Sequence, residues 1–271
     1  MNKTKQTMLF AGLLGVLGAM AMPFAHADAT SDAIAEYREM LAEANPSELI
    51  AAEGEELWKT PRGPKNATLE KCDLGKGPGV IEGASAELPR YFEDTGRVQD
   101  LESRLMTCME TLQGIDPQKI INGKWGKGDM AVMVAVVAHV VSASTGKKVN
   151  VDMSNPHMKR MYALGKETFH YRAGPMDFAC TTCHGDSGKR IRLQDLPDLR
   201  TNKGAAAGWG AWPAYRVGKG VFWTMQRRLR GCYRQQRFPF PIYGSDATIA
   251  LSVYLAANGN GGTIISPSIK R

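Results

Sequence analysis

The pentapeptide Cys180-Thr181-Thr182-Cys183-His184 constrains this chain more than any other stretch of it. Two thiols separated by two residues lie on one turn of helix, where they reach the two vinyl groups of a porphyrin and form thioethers. The histidine that follows then directs its imidazole at the iron. The motif predicts one covalently bound haem c, attached through Cys180 and Cys183, with His184 as an axial ligand of the iron.

Two other uses of a paired-cysteine motif fit this sequence less well. A thioredoxin-like redox pair leaves the adjacent histidine unexplained, and half of a zinc site needs a second Cys-x-x-Cys pair, which the sequence lacks. Haem also accounts for the long Gly- and Pro-rich loops between helical segments, because such loops need a central group to pack around.

The first 27 residues have the composition of a secretory signal peptide. Lys3 and Lys5 form a basic lead, residues 8–22 are almost wholly apolar, and Ala25-His26-Ala27 is a small-x-small cleavage signal. A membrane anchor is the alternative, although the apolar run is short for a bilayer span. Cleavage after Ala27 predicts a periplasmic protein in an oxidising compartment. No later stretch is long and apolar enough to span a membrane.

Basic residues concentrate in the C-terminal part of the sequence. The formal net charge of +7 falls to +5 when Lys3 and Lys5 leave with the signal peptide. Between residues 180 and 237, twelve Lys or Arg stand against three Asp, a local excess of nine. Nucleic acid is not expected as a partner of an exported protein, so this region favours small anions or an acidic protein. A merely solvated surface is the alternative.

The apolar pattern is mainly helical. It predicts four helices, over residues 31–44, 97–112, 129–144 and 245–259. Ser31, Asp129 and Ser245 are the expected caps of three of them. No stretch shows the polar and apolar alternation of a strand, so the predicted fold class is mainly α.

The sequence also contains an internal repeat. Residues 54–77 align without a gap to residues 165–188, which matches Gly54 with Gly165 and Cys72 with Cys183. Further on, Arg104-Leu105-x-x-Cys108 is similar to Arg228-Leu229-x-x-Cys232, and each half then ends in an apolar helix. Features in the same order predict two tandem cytochrome c-like domains related by duplication, over residues 28–155 and 156–271.

The first copy of the repeat is degenerate. Leu69 stands at the position of Cys180, and Asp73 stands at the position of His184. Without the second thioether cysteine and the axial histidine, the N-terminal domain is predicted to bind no haem.

The axial ligand opposite His184 is open at this point. No histidine follows His184, so the downstream candidates are Met225 and Cys232. His139, His157 and His170 precede the motif. An apolar stripe of Val221, Met225 and Leu229 explains Met225 as core packing, and Cys232 is therefore the expected ligand.

The remaining cysteines form a pair by elimination. Five cysteines, less two thioether cysteines and Cys232, leave Cys72 and Cys108. In an oxidising compartment these two predict a disulfide, and reduced or intermolecular thiols are the alternative.

Cys232 lies in an unusually basic segment, Arg227 to Arg237. Cationic neighbours stabilise a thiolate over a thiol, and planar guanidinium groups bind oxyanions in bidentate fashion. If this segment is helical, Arg228 lies one turn before Cys232 on the same face. This arrangement predicts sulfur chemistry on an anionic substrate, with a docking surface for a redox partner as the alternative role of the arginines.

With these features the chain resembles the SoxA family, the haem-thiolate cytochrome c subunits of SoxAX complexes. The resemblance covers essentially the whole mature chain and rests on the Cys-Thr-Thr-Cys-His motif, on Arg228-x-x-x-Cys232 and on the doubled domain. In having a single haem motif, the chain resembles the monohaem branch of this family.

This resemblance implies an L-cysteine S-thiosulfotransferase, which joins thiosulfate to a cysteine of the carrier SoxYZ while electrons leave through haem. It implies that Cys232 is the catalytic residue, a haem ligand and a persulfide, and that Arg228 contacts substrate. It further implies a heterodimer with the small cytochrome SoxX. The competing hypotheses are an electron-transfer cytochrome c with Met225 as ligand, and an anion-binding subunit without catalysis.

Overall fold

The computed structural model describes residues 32–33, 36–37, 39–40, 43–191 and 194–270. The chain divides into a unit of residues 1–41 and a unit of residues 42–271. In the first unit the described residues are helical. The signal peptide, its cleavage site and the cap at Ser31 lie outside the described residues.

The second unit is mainly helical, as predicted. Its helices are α1 (Pro46–Lys59), α2 (Leu101–Gln113), α3 (Pro117–Ile121), α4 (Gly128–Ser142), α5 (Pro156–His170), α6 (Cys180–His184), α7 (Asn202–Gly210), α8 (Met225–Gln236) and α9 (Asp246–Asn258). Across the described ranges, no helix combines the length and hydropathy needed to cross a membrane.

Short strands complete the unit, and the sequence did not predict them. They are β1 (Arg90–Phe92), β2 (Arg97–Gln99), β3 (Arg190–Ile191), β4 (Gln194–Asp195), β5 (Ala214–Arg216), β6 (Val221–Trp223) and β7 (Ser268–Lys270). β1 with β2, and β3 with β4, form antiparallel pairs, while β5 pairs antiparallel with β6 and parallel with β7. Strands of two or three residues are too short to show alternation in a sequence.

Three helix boundaries differ from the sequence expectation. Val98 lies in β2, and α2 begins only after Asp100, whose carboxylate accepts the Ser103 amide at 2.9 Å. Val221 lies in β6 and therefore does not continue an apolar stripe with Met225. α4 begins at Gly128 with Lys127 in the cap position, so Asp129 is inside the first turn and not the cap.

Each half of the unit is built on a close crossing of two helices. α1 packs against α4 and α5 packs against α9, with a glycine at each contact. A Cβ atom added to Gly54 would lie 2.0 Å from the carbonyl oxygen of Ala135, and one added to Gly165 would lie 2.0 Å from that of Ala250. Only a residue without a side chain lets these backbones approach so closely.

The two crossing helices also begin alike. Asn45 caps α1 by accepting the Ser47 amide at 3.0 Å, and Asn155 caps α5 by accepting the His157 amide at 2.8 Å. In both helices a proline at the first position follows the cap, where its missing N–H costs nothing.

The chain after each crossing helix also follows a matching path. A tight turn bridges Arg62 to Ala67 in the first half and Ala173 to Phe178 in the second. A strand hairpin then leads into α2 or α8, and the helix is capped by Asp100 or by Thr224.

In the first half a disulfide between Cys72 and Cys108 ties the loop after this turn to α2, with both residues buried.

We expect Gly54→Ala and Gly165→Ala each to lower the free energy of unfolding by about 3 kcal/mol, because the added methyl displaces a packed backbone carbonyl. Urea unfolding monitored by far-UV circular dichroism measures this. Gly218→Ala is the matched control, since no atom lies within 4 Å of its added Cβ, and its effect should stay within about 0.5 kcal/mol. Equal effects in all three variants would contradict the close-crossing account.

Candidate functional site

The haem motif forms the short helix α6, whose first turn is fixed by its own threonine. The hydroxyl of Thr182 accepts the Ala179 amide at 2.9 Å. Cys180, Cys183 and His184 are each half-buried on this helix. The two cysteines therefore occupy one helical turn, with the histidine directly after them.

A backbone carbonyl orients the imidazole of His184. Its Nδ1 lies 3.0 Å from the oxygen of Pro197, and because a carbonyl only accepts, Nδ1 must carry the proton. Nε2 is then free to bind a metal. Burial lowers the pKa of His184, with the hydrogen bond to Pro197 acting in the opposite direction. The ring thus has the tautomer and protonation state that an iron ligand requires.

The C-terminal turn of α8 reaches the haem motif. The side-chain amide of Gln236 donates to the sulfur of Cys180 at 3.8 Å. Burial raises the pKa of Cys180 to about 12, and the nearby Cys232 adds to this effect. Within the described residues, Cys180, Cys183 and Cys232 are the cysteines outside a disulfide.

The residue set therefore fits a covalently bound haem c. Two thiols are available for thioether bonds and an oriented imidazole for the iron, and a third thiol, Cys232, approaches from α8.

Met225, in the first turn of α8, has packing contacts of its own. It lines a small, partly open cavity of about 40 Å³ together with Leu88, Glu102 and Trp212. It also packs against the apolar cluster that contains Leu229. Packing explains Met225 without a role as a ligand.

The three earlier histidines have other contacts. His139 is half-buried with its ring 6.2 Å from that of Trp58, and His157 stacks on Tyr91 at 4.5 Å. His170 is the last residue of α5, and its Nδ1 lies 2.8 Å from the carbonyl oxygen of Lys166. Of the three, His139 is half-buried, whereas His157 and His170 are exposed.

Arg228 has no ion pair within the described part of the chain. Its guanidinium carbon lies 5.3 Å from the ring centroid of Trp212, and it precedes Cys232 by one turn of α8, as the sequence predicted. A half-buried guanidinium held on an aromatic face keeps its N–H groups available for an anion.

The matching arginine of the first half is buried and has an acidic partner. Arg104 is 4% exposed, and its Nε donates to the Asp73 carbonyl oxygen at 2.6 Å. Its Nη1 donates to the Asp94 carboxylate at 2.8 Å. Arg104 is therefore structural.

Gln226 anchors the N-terminus of α8 in a buried polar network that sequence reasoning missed. Its side-chain amide donates to Asp100 at 2.7 Å, and its side-chain oxygen accepts from Gly244 N at 2.6 Å and Thr248 Oγ1 at 2.9 Å. Its backbone amide lies 3.2 Å from a Glu102 carboxylate oxygen. Asp100 and Glu102 lie more than a hundred residues from Gln226, and such distant partners leave no local pattern in a sequence.

Burial gives Glu102 an unusual protonation equilibrium. Its side chain is 3% exposed, and burial, with the nearby Asp100 adding to it, raises its pKa to about 8. Hydrogen bonds from Gln226, Tyr243 and Thr224 act in the opposite direction. Near neutral pH this carboxyl group is therefore mostly protonated.

Known proteins resemble this chain over most of its length. Residues 53–149 match the family model described as SoxA/TsdA, cytochrome c domain. The chain is 61% identical to the L-cysteine S-thiosulfotransferase subunit SoxA of Hydrogenophilus thermoluteolus, over 98% of this chain and 100% of that protein. It is 33% identical to a protein of the same name from Hydrogenobacter thermophilus, over 96% of each.

A solved structure resembles it as well. The crystal structure of SoxXA from P. pantotrophus superposes with a TM-score of 0.71 at 25% identity, covering 87% of this chain and 84% of that chain.

We expect Glu102 to make the protein less stable as pH rises. The folded state keeps the proton up to about pH 8, whereas an unfolded chain releases it near 4.5. The folded state therefore binds more protons across this interval, and the free energy of unfolding falls with rising pH, by at most about 5 kcal/mol. Denaturant unfolding at pH 5 and pH 8 measures the fall.

The variant Glu102→Gln, which does not titrate, should lose less stability over this interval than the parent. Glu93→Gln, at an exposed glutamate, should behave as the parent. A Glu102→Gln variant with the parent's pH dependence would show that Glu102 does not titrate in this way.

Proposed function

The chain belongs to the SoxA family of L-cysteine S-thiosulfotransferase subunits, and we propose that its C-terminal half holds one covalent haem c beside a thiosulfate site. The single observation that carries this is the placement of α8. The helix presents Arg228 and Cys232 one turn apart, and its last residue, Gln236, contacts the haem-motif cysteine Cys180.

In this proposal Cys180 and Cys183 would hold the haem through thioether bonds, and His184 and Cys232 would bind its iron. The hydrogen bond from His184 to Pro197 supports its part, because it leaves Nε2 free. When bound, the haem supplies an iron centre that accepts electrons. The resemblance to the family further suggests a persulfide at Cys232.

The reaction we propose joins the outer sulfur of thiosulfate to a cysteine of the carrier SoxYZ. A sulfur–sulfur bond forms, the S–H bond of the carrier thiol breaks, and one proton and two electrons leave. The proton passes to solvent and the electrons pass to the haem-containing partner SoxX. Thiosulfate is oxidised together with the carrier thiol, so no other leaving group is needed.

Arg228 binds and orients the anion in this scheme. Its guanidinium is free of carboxylate partners in the described ranges, and a planar fork binds two oxygens of a sulfur oxyanion at once. Cys232 lies one turn further along the same face of α8, beside the substrate sulfur.

We also propose that the two halves are duplicated cytochrome c-like domains, over residues 28–155 and 156–271. The glycine crossings at Gly54 and Gly165 and the matched turns after α1 and α5 support this. The family-model match to residues 53–149 lies in the half that lacks a haem motif. In that half the Cys72–Cys108 disulfide connects the positions that align with Cys183 and Cys232.

The N-terminal segment and the similar proteins support a proposal for the location, partner and substrate of this chain. We propose that residues 1–27 are removed on export and that the mature chain works in the periplasm. The SoxXA structure supports a heterodimer with a SoxX subunit, and the name of the relatives supports thiosulfate as the substrate.

The ligand assignment can be tested by electron paramagnetic resonance of the haem-loaded protein. We expect a low-spin thiolate signal that Cys232→Ala abolishes and that Met225→Leu retains, because apolar packing explains Met225 without a role as a ligand. Mass spectrometry of the Cys232 peptide should show an added sulfur atom. A signal that survives in Cys232→Ala but disappears in Met225→Leu would favour the electron-carrier hypothesis.

The catalytic assignment can be tested by thiosulfate-dependent turnover with SoxX and the carrier. We expect Arg228→Ala to lower kcat/KM by about 10²-fold, since it removes a charged donor to the substrate, and Cys232→Ala to lower it by about 10³-fold. Arg160→Gln, at an exposed arginine of α5, is the control. Near-normal turnover in Cys232→Ala would leave the chain as an anion-binding subunit only.

A further inference from the structure

The arginines of α8 lie on two different faces of the helix. At 100° per residue, Arg228 and Cys232 share one face, and Arg227 and Arg230 share another, roughly 150° away. The second face therefore has no part in the chemistry assigned to Cys232.

Aromatic rings hold both arginines of this second face. The guanidinium carbon of Arg227 lies 4.9 Å from the ring centroid of Trp223 and 5.4 Å from that of Trp125. That of Arg230 lies 4.4 Å from the ring centroid of Phe240 and 5.9 Å from that of Tyr243. Stacking restricts each planar group to one orientation and lowers the entropy that binding an anion would cost.

Neither arginine has an anionic partner. Over residues 43–191 and 194–270, no carboxylate forms an ion pair with Arg227 or Arg230. The Nε atom of each is buried and has no hydrogen-bond acceptor. Burial of a cation without an acceptor is unfavourable unless a ligand supplies the missing charge.

The two groups also repel each other. Burial lowers the pKa of Arg227, and the positive charges of Arg230 and Arg234 lower it further. One doubly charged anion beside these two half-buried cations would relieve the repulsion between them.

We propose that Arg227 and Arg230 form a second oxyanion site, separate from the Cys232 face of α8, for a tetrahedral sulfur dianion of the sulfate or thiosulfate type. Trp223 and Trp125 support one guanidinium, and Phe240 and Tyr243 support the other. The site does not depend on the role of Arg228 or on haem ligation.

Isothermal titration of the haem-loaded full chain with sodium sulfate, at constant ionic strength maintained by sodium chloride, tests this proposal. We expect saturable binding that Arg227→Gln and Arg230→Gln each weaken about tenfold or more. Arg160→Gln should bind sulfate as the parent does, and Arg228→Gln should keep the binding event that Arg227→Gln and Arg230→Gln weaken. A parallel titration with thiosulfate distinguishes the two anions at this site.

Two results would overturn the proposal. One is sulfate binding that is not saturable, or that is equal in all variants, since it would reflect general ionic strength. The other is sulfate binding lost in Arg228→Gln but kept in Arg227→Gln, since it would place the anion on the Cys232 face.

Should a glutamine variant fail to fold, Arg227→Lys and Arg230→Lys keep the charge while removing the planar fork, and they should still weaken binding. This experiment measures binding and not turnover. The second oxyanion site can therefore be contradicted while the proposed function stands, and the proposed function can be contradicted while the second site stands.

Discussion

The position of α8 depends on the buried hydrogen bonds of Gln226. That side chain connects the start of α8 to Asp100 in the first half and to Gly244 and Thr248 in the second. The contacts with Asp100 and Thr248 are buried, where an unmade hydrogen bond is costly. Because they fix where α8 begins, they also fix where its later turns, with Arg228 and Cys232, meet the haem motif.

The same Arg-x-x-x-Cys pattern occurs in both halves, but its role differs because the two residues have different contacts in each half. Arg104 and Cys108 occupy α2 with the same spacing that Arg228 and Cys232 have in α8. In the first half Asp73 and Asp94 satisfy the arginine, and Cys72 binds the cysteine in a disulfide. In the second half neither residue has such a partner within the described chain. The residues without partners are therefore the ones available for chemistry.

The features of this structure that depend on local residue spacing, or on the number of cysteines, could be predicted from the sequence. The spacing in residues 180–184 predicted the haem motif, and helical spacing predicted that Arg228 precedes Cys232 by one turn. Elimination among five cysteines identified the pair Cys72 and Cys108, which the structure joins. The strands were missed because three residues carry no periodicity. The contacts of Gln226, and the stacking of Arg228 on Trp212, join distant segments and become visible only in the fold.

The arginines of α8 keep their positive charge because aromatic rings, and not carboxylates, hold them in place. A carboxylate would hold a guanidinium in place but would also cancel its charge, as Asp94 does for Arg104. A tryptophan face orients the group through its quadrupole and leaves the net charge intact. Four arginines and no acidic residue on α8 thus maintain a positive potential along its length. A dianion approaching the haem motif from this side meets cations that are already oriented and that no acid among the described residues neutralises.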